Sequence, residues 1–245
     1  MLQTVFTQRR HAHRYRQITR TLIAHGLGGL VAPLNLGGSI RRLLRFQSGP
    51  DSNGTGSDRK SRPVHLRLAL EELGPTFVKL GQILSTRADL LPPAYIAELE
   101  KLQDRVPPEP FESISVVLEN ELGATLTEVF AAIDPVPIAA GSIGQVHAAR
   151  LPDGVDVVVK VQRPAVDLQI FEDLEILADM ARLGEARSGL LKQADIVGLV
   201  KEFAWTIRAE LDFRREASNA EQLGDYFAND PGIAIPYVLQ EFSTR

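Results

Sequence analysis

Residues 137–147 read P-I-A-A-G-S-I-G-Q-V-H, and fourteen positions after Val146 comes Lys160, in V-V-V-K-V-Q. Small residues where a backbone must close on phosphates, then a lysine on the next strand, are the parts of a nucleoside-triphosphate site. A Cβ in the loop would hold the phosphates off. The lysine would meet the α- and β-phosphates, and a glutamate on a later helix would hold the lysine. Loops of this kind follow G-x-G-x-x-G-x-V, and here the string is Ala139-x-Gly141-x-x-Gly144-x-Val146. Plainer readings exist. A bulge accounts for Gly141 and Gly144, a turn-capping hydroxyl for Ser142, and an edge-strand ammonium in water for Lys160. Against the last, V-V-V-K-V reads as a strand buried on both faces, where an ammonium needs a partner.

Carboxylates for that partner gather in A-E-L-D-F-R-R-E-A-S-N, as Glu210, Asp212 and Glu216. Such a run is commonly a solvated face, and on one continuous helix Glu210 and Glu216 fall on roughly opposed sides. A third candidate is P-T-F-V-K-L-G-Q-I-L, where Lys79 and Gln82 share a face. Gly81 lies mid-helix there at a cost of about 1 kcal/mol against alanine, which predicts close packing against another element. The plain alternative is a core helix with Lys79 and Gln82 on its surface. The chain has no cysteine, and its five histidines are scattered without ligand spacing, so no metal site is expected from these residues.

The elements that must carry these residues follow from periodicity and breakers. Pro63 opens a helix through Leu66, Leu70 and Leu73, closed by Gly74; Pro75 opens the next; a third runs through Tyr95, Ile96, Leu99 and Leu102. Phe111–Leu122 and Leu126–Ala132 read as two short helices. From Ile143 the helical period vanishes. Residues 143–151 and 155–161 flank the turn signal P-D-G and read as a β-hairpin. Pro164 opens a long helix. A second runs from about Ile196 to Phe227, and Ile233–Phe242 is a last strand candidate.

At 245 residues, 44% hydrophobic and 24% charged, the composition is globular. The formal charge of −4 hides an asymmetry: eight arginines precede the first acidic residue, Asp51. A basic arm on an acidic body suits an anionic partner, a phospholipid surface or nucleic acid; a solvated face with a disordered start is the alternative. Thr21–Ile40 carries no formal charge, but five glycines, Pro33 and Asn35 thin its apolar density. It reads as two short helical pieces lying on a membrane and not crossing it. Ser48–Ser61 reads as a linker.

Taken in this order, the pieces resemble the UbiB/AarF family of atypical, protein-kinase-like proteins, from about His25 to Arg245. The family's K-x-G-Q motif matches Lys79-Leu80-Gly81-Gln82. Its alanine-rich loop matches A-A-G-S-I-G-Q-V-H. Its strand lysine is Lys160, its E-x-D is Glu210-Leu211-Asp212, and its lysine-pairing glutamate is Glu216. The resemblance implies an α+β fold: a kinase-like amino lobe, with a small β-sheet and long helices, behind a helical N-terminal extension. The implied segments are a basic arm (1–47), a flexible linker (48–62), the K-x-G-Q extension (63–132) and the lobe (133–245). It implies a catalytic pair, Lys160 and Glu216. It also implies nucleotide contacts from Ala139, Ala140, Gly141, Ser142, Ile143, Gly144, Gln145 and Val146. Lys79, Gly81, Gln82, Glu210 and Asp212 would cover the place where a protein substrate binds, which favours ATP hydrolysis or an unusual acceptor. The implied ligands are ATP and Mg2+, with the metal held by a carboxyl lobe. The implied role is ubiquinone or other prenyl-lipid metabolism, cytoplasmic and peripheral on the inner membrane, with no specific nucleic acid.

Two departures carry expectations. Gly141 stands where the family has alanine, which predicts looser nucleotide selectivity. The chain also stops at S-T-R, and neither a catalytic loop nor D-F-G occurs in it. This chain alone is therefore expected to bind nucleotide weakly and transfer no phosphate. The competing reading is a non-catalytic scaffold for a lipid surface or a complex.

Overall fold

The computed structural model describes residues 2–31, 56–102 and 107–244. The arm's Arg41, Arg42 and Arg45 and residues 48–55 of the expected linker lie outside them; residues 56–62 of that linker are helical instead, the start of a helix that runs to Leu73. Two compact units emerge: residues 1–104 with 168–203, and residues 105–167 with 204–245.

The first unit is helical: α1 (Leu2–Ala24), α2 (Gly28–Val31), α3 (Gly56–Leu73), α4 (Pro75–Ser85) and α5 (Pro93–Leu99). It also takes in the greater part of α8 (Val166–Arg187), with α9 (Gly189–Gln193) and the start of α10 (Ile196–Glu210). Apolar residues at helical spacing converge on one core. Ile18 and Leu22 come from α1, Leu70 and Leu73 from α3, Phe77 from α4 and Ile176 from α8. Gly74 separates α3 from α4 at φ 93°, a left-handed conformation open to glycine, and Pro75 starts the new helix. Two expectations are corrected. The first of the two pieces expected in Thr21–Ile40 is the end of the long helix α1; α2 starts at Gly28, and residues 32–40 of the stretch lie outside the described residues. Pro63 lies inside α3 instead of opening it. A proline removes one backbone donor, and the turns that follow are anchored in the core.

Polar groups pin this core. Arg14, on α1, donates from Nε and Nη2 to the two oxygens of Asp173 at 2.6 and 2.9 Å. Its Nη2 also reaches the Leu73 carbonyl at 2.6 Å, and Thr76 Oγ1 donates to Asp173 at 2.6 Å. Asp173 is fully buried. Arg14, counted above with the basic arm, is thus spent inside the fold.

The second unit holds α6 (Phe111–Leu122), α7 (Leu126–Val129) and a four-stranded antiparallel sheet. The strands are β1 (Ala132–Ile133), β2 (Ala139–Ala140), β3 (Gly144–Arg150) and β4 (Asp156–Gln162), with β3 pairing all three others. The end of α10, then α11 (Phe213–Tyr226) and a 3₁₀ turn at Gln240–Phe242 complete it. The expected hairpin is present, with Val146 opposite Lys160. Ala149, Val161, Ile114, Leu118 and Phe130 form its core.

Three expectations change here. The second short helix stops at Val129, and Ala132 and Ile133 pair with β3 as a strand. The single helix expected from Ile196 to Phe227 breaks at Leu211-Asp212. The Gln162 side-chain amide donates to the Leu211 carbonyl, and Asp212 Oδ1 accepts from the Arg214 backbone N–H as the N-cap of α11. Ile233–Phe242 is not a strand: its backbone joins none of the four strands, and Pro236 interrupts it.

Candidate nucleotide site

The site begins with the alternation of β4. Val157, Val159 and Val161 pack into the core, while Val158 and Lys160 face outward. The strand is therefore buried on one face, not both, and the Lys160 side chain keeps 42% of its exposure. Its ammonium donates to Glu216 on α11, which is itself 60% exposed. An exposed pair of this kind adds little to stability, about 0–1 kcal/mol. Its value lies in fixing where the ammonium sits.

Register gives the surface around it. Ala139 of β2 lies opposite Val146 of β3, and Val146 lies opposite Lys160 of β4, so the three form one cross-strand row. In the next row Ala148 lies opposite Val158. The outward face of the hairpin is therefore a small apolar floor, with one ammonium at its edge.

The loop between β2 and β3 is short. Gly141 N–H donates to the Gly144 carbonyl at 2.8 Å, leaving Ser142 and Ile143 as the connection. Both are buried. Arg163, itself buried, fixes this loop. Its backbone N–H donates to Ile143 O at 2.9 Å, and its Nε donates to Gly141 O at 2.9 Å. Its other guanidinium nitrogens reach Glu109 Oε1 at 2.7 Å and Pro107 O at 2.8 Å. Arg163 was missed in the sequence, although it stands in the run K-V-Q-R-P directly after the strand lysine.

The residues expected at the nucleotide thus separate. Ala139, Val146, Lys160 and Glu216 gather on the outer face around Gly144. The Gln145 side chain turns inward: its Oε1 accepts from the Glu109 backbone N–H at 2.9 Å, and its Nε2 lies 2.8 Å from His147 Nε2. His147 is fully buried, and its Nδ1 lies 2.7 Å from Asp134 O. A proton on Nδ1 satisfies all three groups. Ala140 stands opposite Gln145 in the register.

Gly144 carries a further constraint. A Cβ there would lie 2.6 Å from the Val161 carbonyl oxygen and 3.3 Å from Phe213 Cζ. Glycine is required at this point by the protein's own packing. In the helical unit the K-x-G-Q glycine behaves alike: a Cβ at Gly81 would lie 2.2 Å from Leu102 Cδ1 and 2.9 Å from Leu70 Cδ1. Gln82 donates to the Leu102 carbonyl at 2.7 Å. Of the E-x-D motif, Glu210 ends α10 and Asp212 caps α11.

Residues 101–245 match the ABC1 atypical kinase-like domain. The chain belongs to this family of UbiB/AarF proteins. It is 49% identical over 185 residues to a "probable protein kinase UbiB" of Marinobacter nauticus, covering 76% of this chain and 34% of that one. It is 48% identical over 182 residues to the protein of the same name from Azotobacter vinelandii, covering 74% and 34%. The chain thus spans about a third of the length of these relatives. The Rv3197 chain of Mycobacterium tuberculosis, solved in complex with erythromycin, is similar at 31% identity, with 75% of this chain and 46% of that one covered and a TM-score of 0.47. Helices around a small antiparallel sheet agree with the amino lobe of an atypical kinase.

Proposed function

We propose that the outward face of the β3–β4 hairpin is the nucleotide-binding half of a UbiB-type atypical kinase or ATPase. The observation that carries this reading is the cross-strand row Ala139–Val146–Lys160 with Glu216 on the Lys160 ammonium. An apolar strand face accepts a flat base, and a lysine held by a carboxylate keeps its charge and position for a phosphate. The loop tied down by Arg163 holds its backbone groups in place before any ligand arrives, which lowers the ordering cost of binding.

ATP fits these residues at its base and its α- and β-phosphates. Among the described residues no cluster of carboxylates and histidines suits a metal ion. The Mg2+ that neutralises phosphate charge in this class would be held by residues of a carboxyl lobe. Lys160 orients the phosphates, Glu216 orients Lys160, and neither holds the transferred group.

Within the whole protein, the proposed role is support of ubiquinone or a related prenyl lipid at a membrane. Arg16 and Arg20 are exposed four residues apart on α1 and offer cations to an anionic lipid surface. Among the described residues no helix is long and apolar enough to cross a membrane. The test is equilibrium binding of ATP, with and without Mg2+, to the wild-type protein and to Lys160→Met and Glu216→Gln. Saturable binding that falls at least about fivefold in Lys160→Met supports the reading, since a charge-assisted phosphate contact contributes about 1–3 kcal/mol. Equal binding by wild type and Lys160→Met would sink it.

A further inference from the structure

Phe213 follows Asp212 directly and stands three residues before Glu216 on α11, so Phe213 and Glu216 share a helix face. The Lys160 ammonium lies 4.6 Å from the centroid of the Phe213 ring. The same ring reaches to 3.3 Å from the place where a Cβ on Gly144 would be. One aromatic side chain therefore touches both the strand lysine and the loop glycine, and the helix that carries it also carries the lysine's carboxylate.

We propose that Phe213 is a positioning residue for Lys160, and that Gly144, which the Val161 carbonyl already keeps free of a side chain, also leaves room for its ring. This rests on the nucleotide reading of the Lys160 site and deepens it. An ammonium has three N–H donors and no acceptor. Glu216 takes one donor. The negative face of the ring covers another side of the charge without competing for a hydrogen bond. The remaining donor is left for a phosphate oxygen. The turn at Leu211-Asp212 sets the ring's place: the Gln162 amide fixes the Leu211 carbonyl, and the Asp212 side chain caps the first turn of α11. The acidic motif ahead of α11 thus acts on the nucleotide subsite through the aromatic residue that follows it.

The test uses the full chain with ¹³C- and ¹⁵N-labelled lysine, observing the Lys160 Cε protons and ammonium by NMR, without nucleotide and then with added MgATP. In the wild type the ring current of Phe213 shifts the Lys160 Cε protons upfield of the other lysines. Phe213→Leu returns them to ordinary positions and weakens MgATP binding about two- to fivefold, the range of an exposed cation–π contact. Phe213→Tyr keeps both the shift and the affinity, which separates the ring's action on the charge from mere filling of space. Unchanged Lys160 shifts in Phe213→Leu, with a native-like amide spectrum, would overturn the proposal. So would a loss of affinity in Phe213→Tyr equal to that in Phe213→Leu. If MgATP leaves the wild-type Lys160 signals unmoved, the nucleotide reading fails, and the ring current measured without nucleotide still decides the positioning claim.

Discussion

Asp173 is fully buried and accepts three hydrogen bonds, two from Arg14 and one from Thr76. Among the described residues Arg14 also reaches the Leu73 carbonyl and Gln17 Oε1, and its guanidinium lies 5.8 Å from the Phe77 ring centroid. Asp173→Ala therefore leaves a guanidinium in the core without its counter-charge. Removing one member of a buried pair costs about 3–5 kcal/mol, a large share of the roughly 5–15 kcal/mol by which a domain is stable. With a urea dependence of about 2 kcal/mol per molar, the unfolding midpoint should fall by about 1.5–2.5 M. Arg14→Met should fall by a similar amount near neutral pH. The double variant Arg14→Met/Asp173→Leu removes both charges and leaves only the Leu73 carbonyl and the Thr76 hydroxyl unpaired, at about 1–3 kcal/mol each. It should therefore cost less than the two single changes together by at least about 2 kcal/mol. Urea titration followed by helix circular dichroism reads all three midpoints. Single variants within about 0.5 kcal/mol of wild type, or strictly additive losses, would refute the account of this pair.

Gly144→Ala should destabilise the sheet unit by about 1–3 kcal/mol, because the Val161 carbonyl at 2.6 Å belongs to the backbone and cannot turn aside; thermal melts check this. Gly141→Ala should change the ratio of ATP to ADP affinity towards stronger discrimination, and an identical ratio in calorimetric titrations would remove the expectation attached to that glycine. Glu72 accepts from His25 and from Thr21, and these bonds, His25 foremost, lower its pKa below the ordinary carboxylate value. A lowered folded pKa gives stability that is present above the unfolded value, near 4.3, and is lost as pH falls through the folded one. Glu72→Gln should therefore flatten the stability profile below about pH 4.5, as read by urea midpoints across pH.

The hairpin was legible because its cause is local: an alternating run before P-D-G and a β-branched run after it allow little else. The α10–α11 break was not. A-E-L-D-F-R-R-E has good helical composition throughout, and the break depends on Gln162, about fifty residues earlier in the chain, reaching the Leu211 carbonyl. Asp212 was the available signal, since aspartate is a preferred N-cap, but mid-run it reads as one more solvated acid. Ile233–Phe242 failed for the opposite reason. Its composition is strand-like, yet a strand needs a partner edge, and periodicity carries no information about edges. Lys160 was placed correctly on a strand and wrongly in a buried setting. A run of valines cannot show which face water reaches, and here the outward Val158 stays 64% exposed.

Gly81 and Gly144 show how one residue type carries two messages. At Gly81 the helix penalty predicted close packing, and the buried tips of Leu70 and Leu102 supply it. At Gly144 the loop pattern predicted room for phosphate, while the space beyond its Cα is already filled by Val161 O and Phe213. A small residue chosen for a ligand leaves an empty space in the free protein; one chosen for packing leaves none. By that criterion Gly144 is a packing residue of the sheet unit. The backbone of the loop is held by Arg163 through the Gly141 and Ile143 carbonyls. Arg163→Lys keeps the charge but loses the planar fork that reaches Gly141 O, Glu109 and Pro107 O together, so loop rigidity rather than charge is what that substitution would remove.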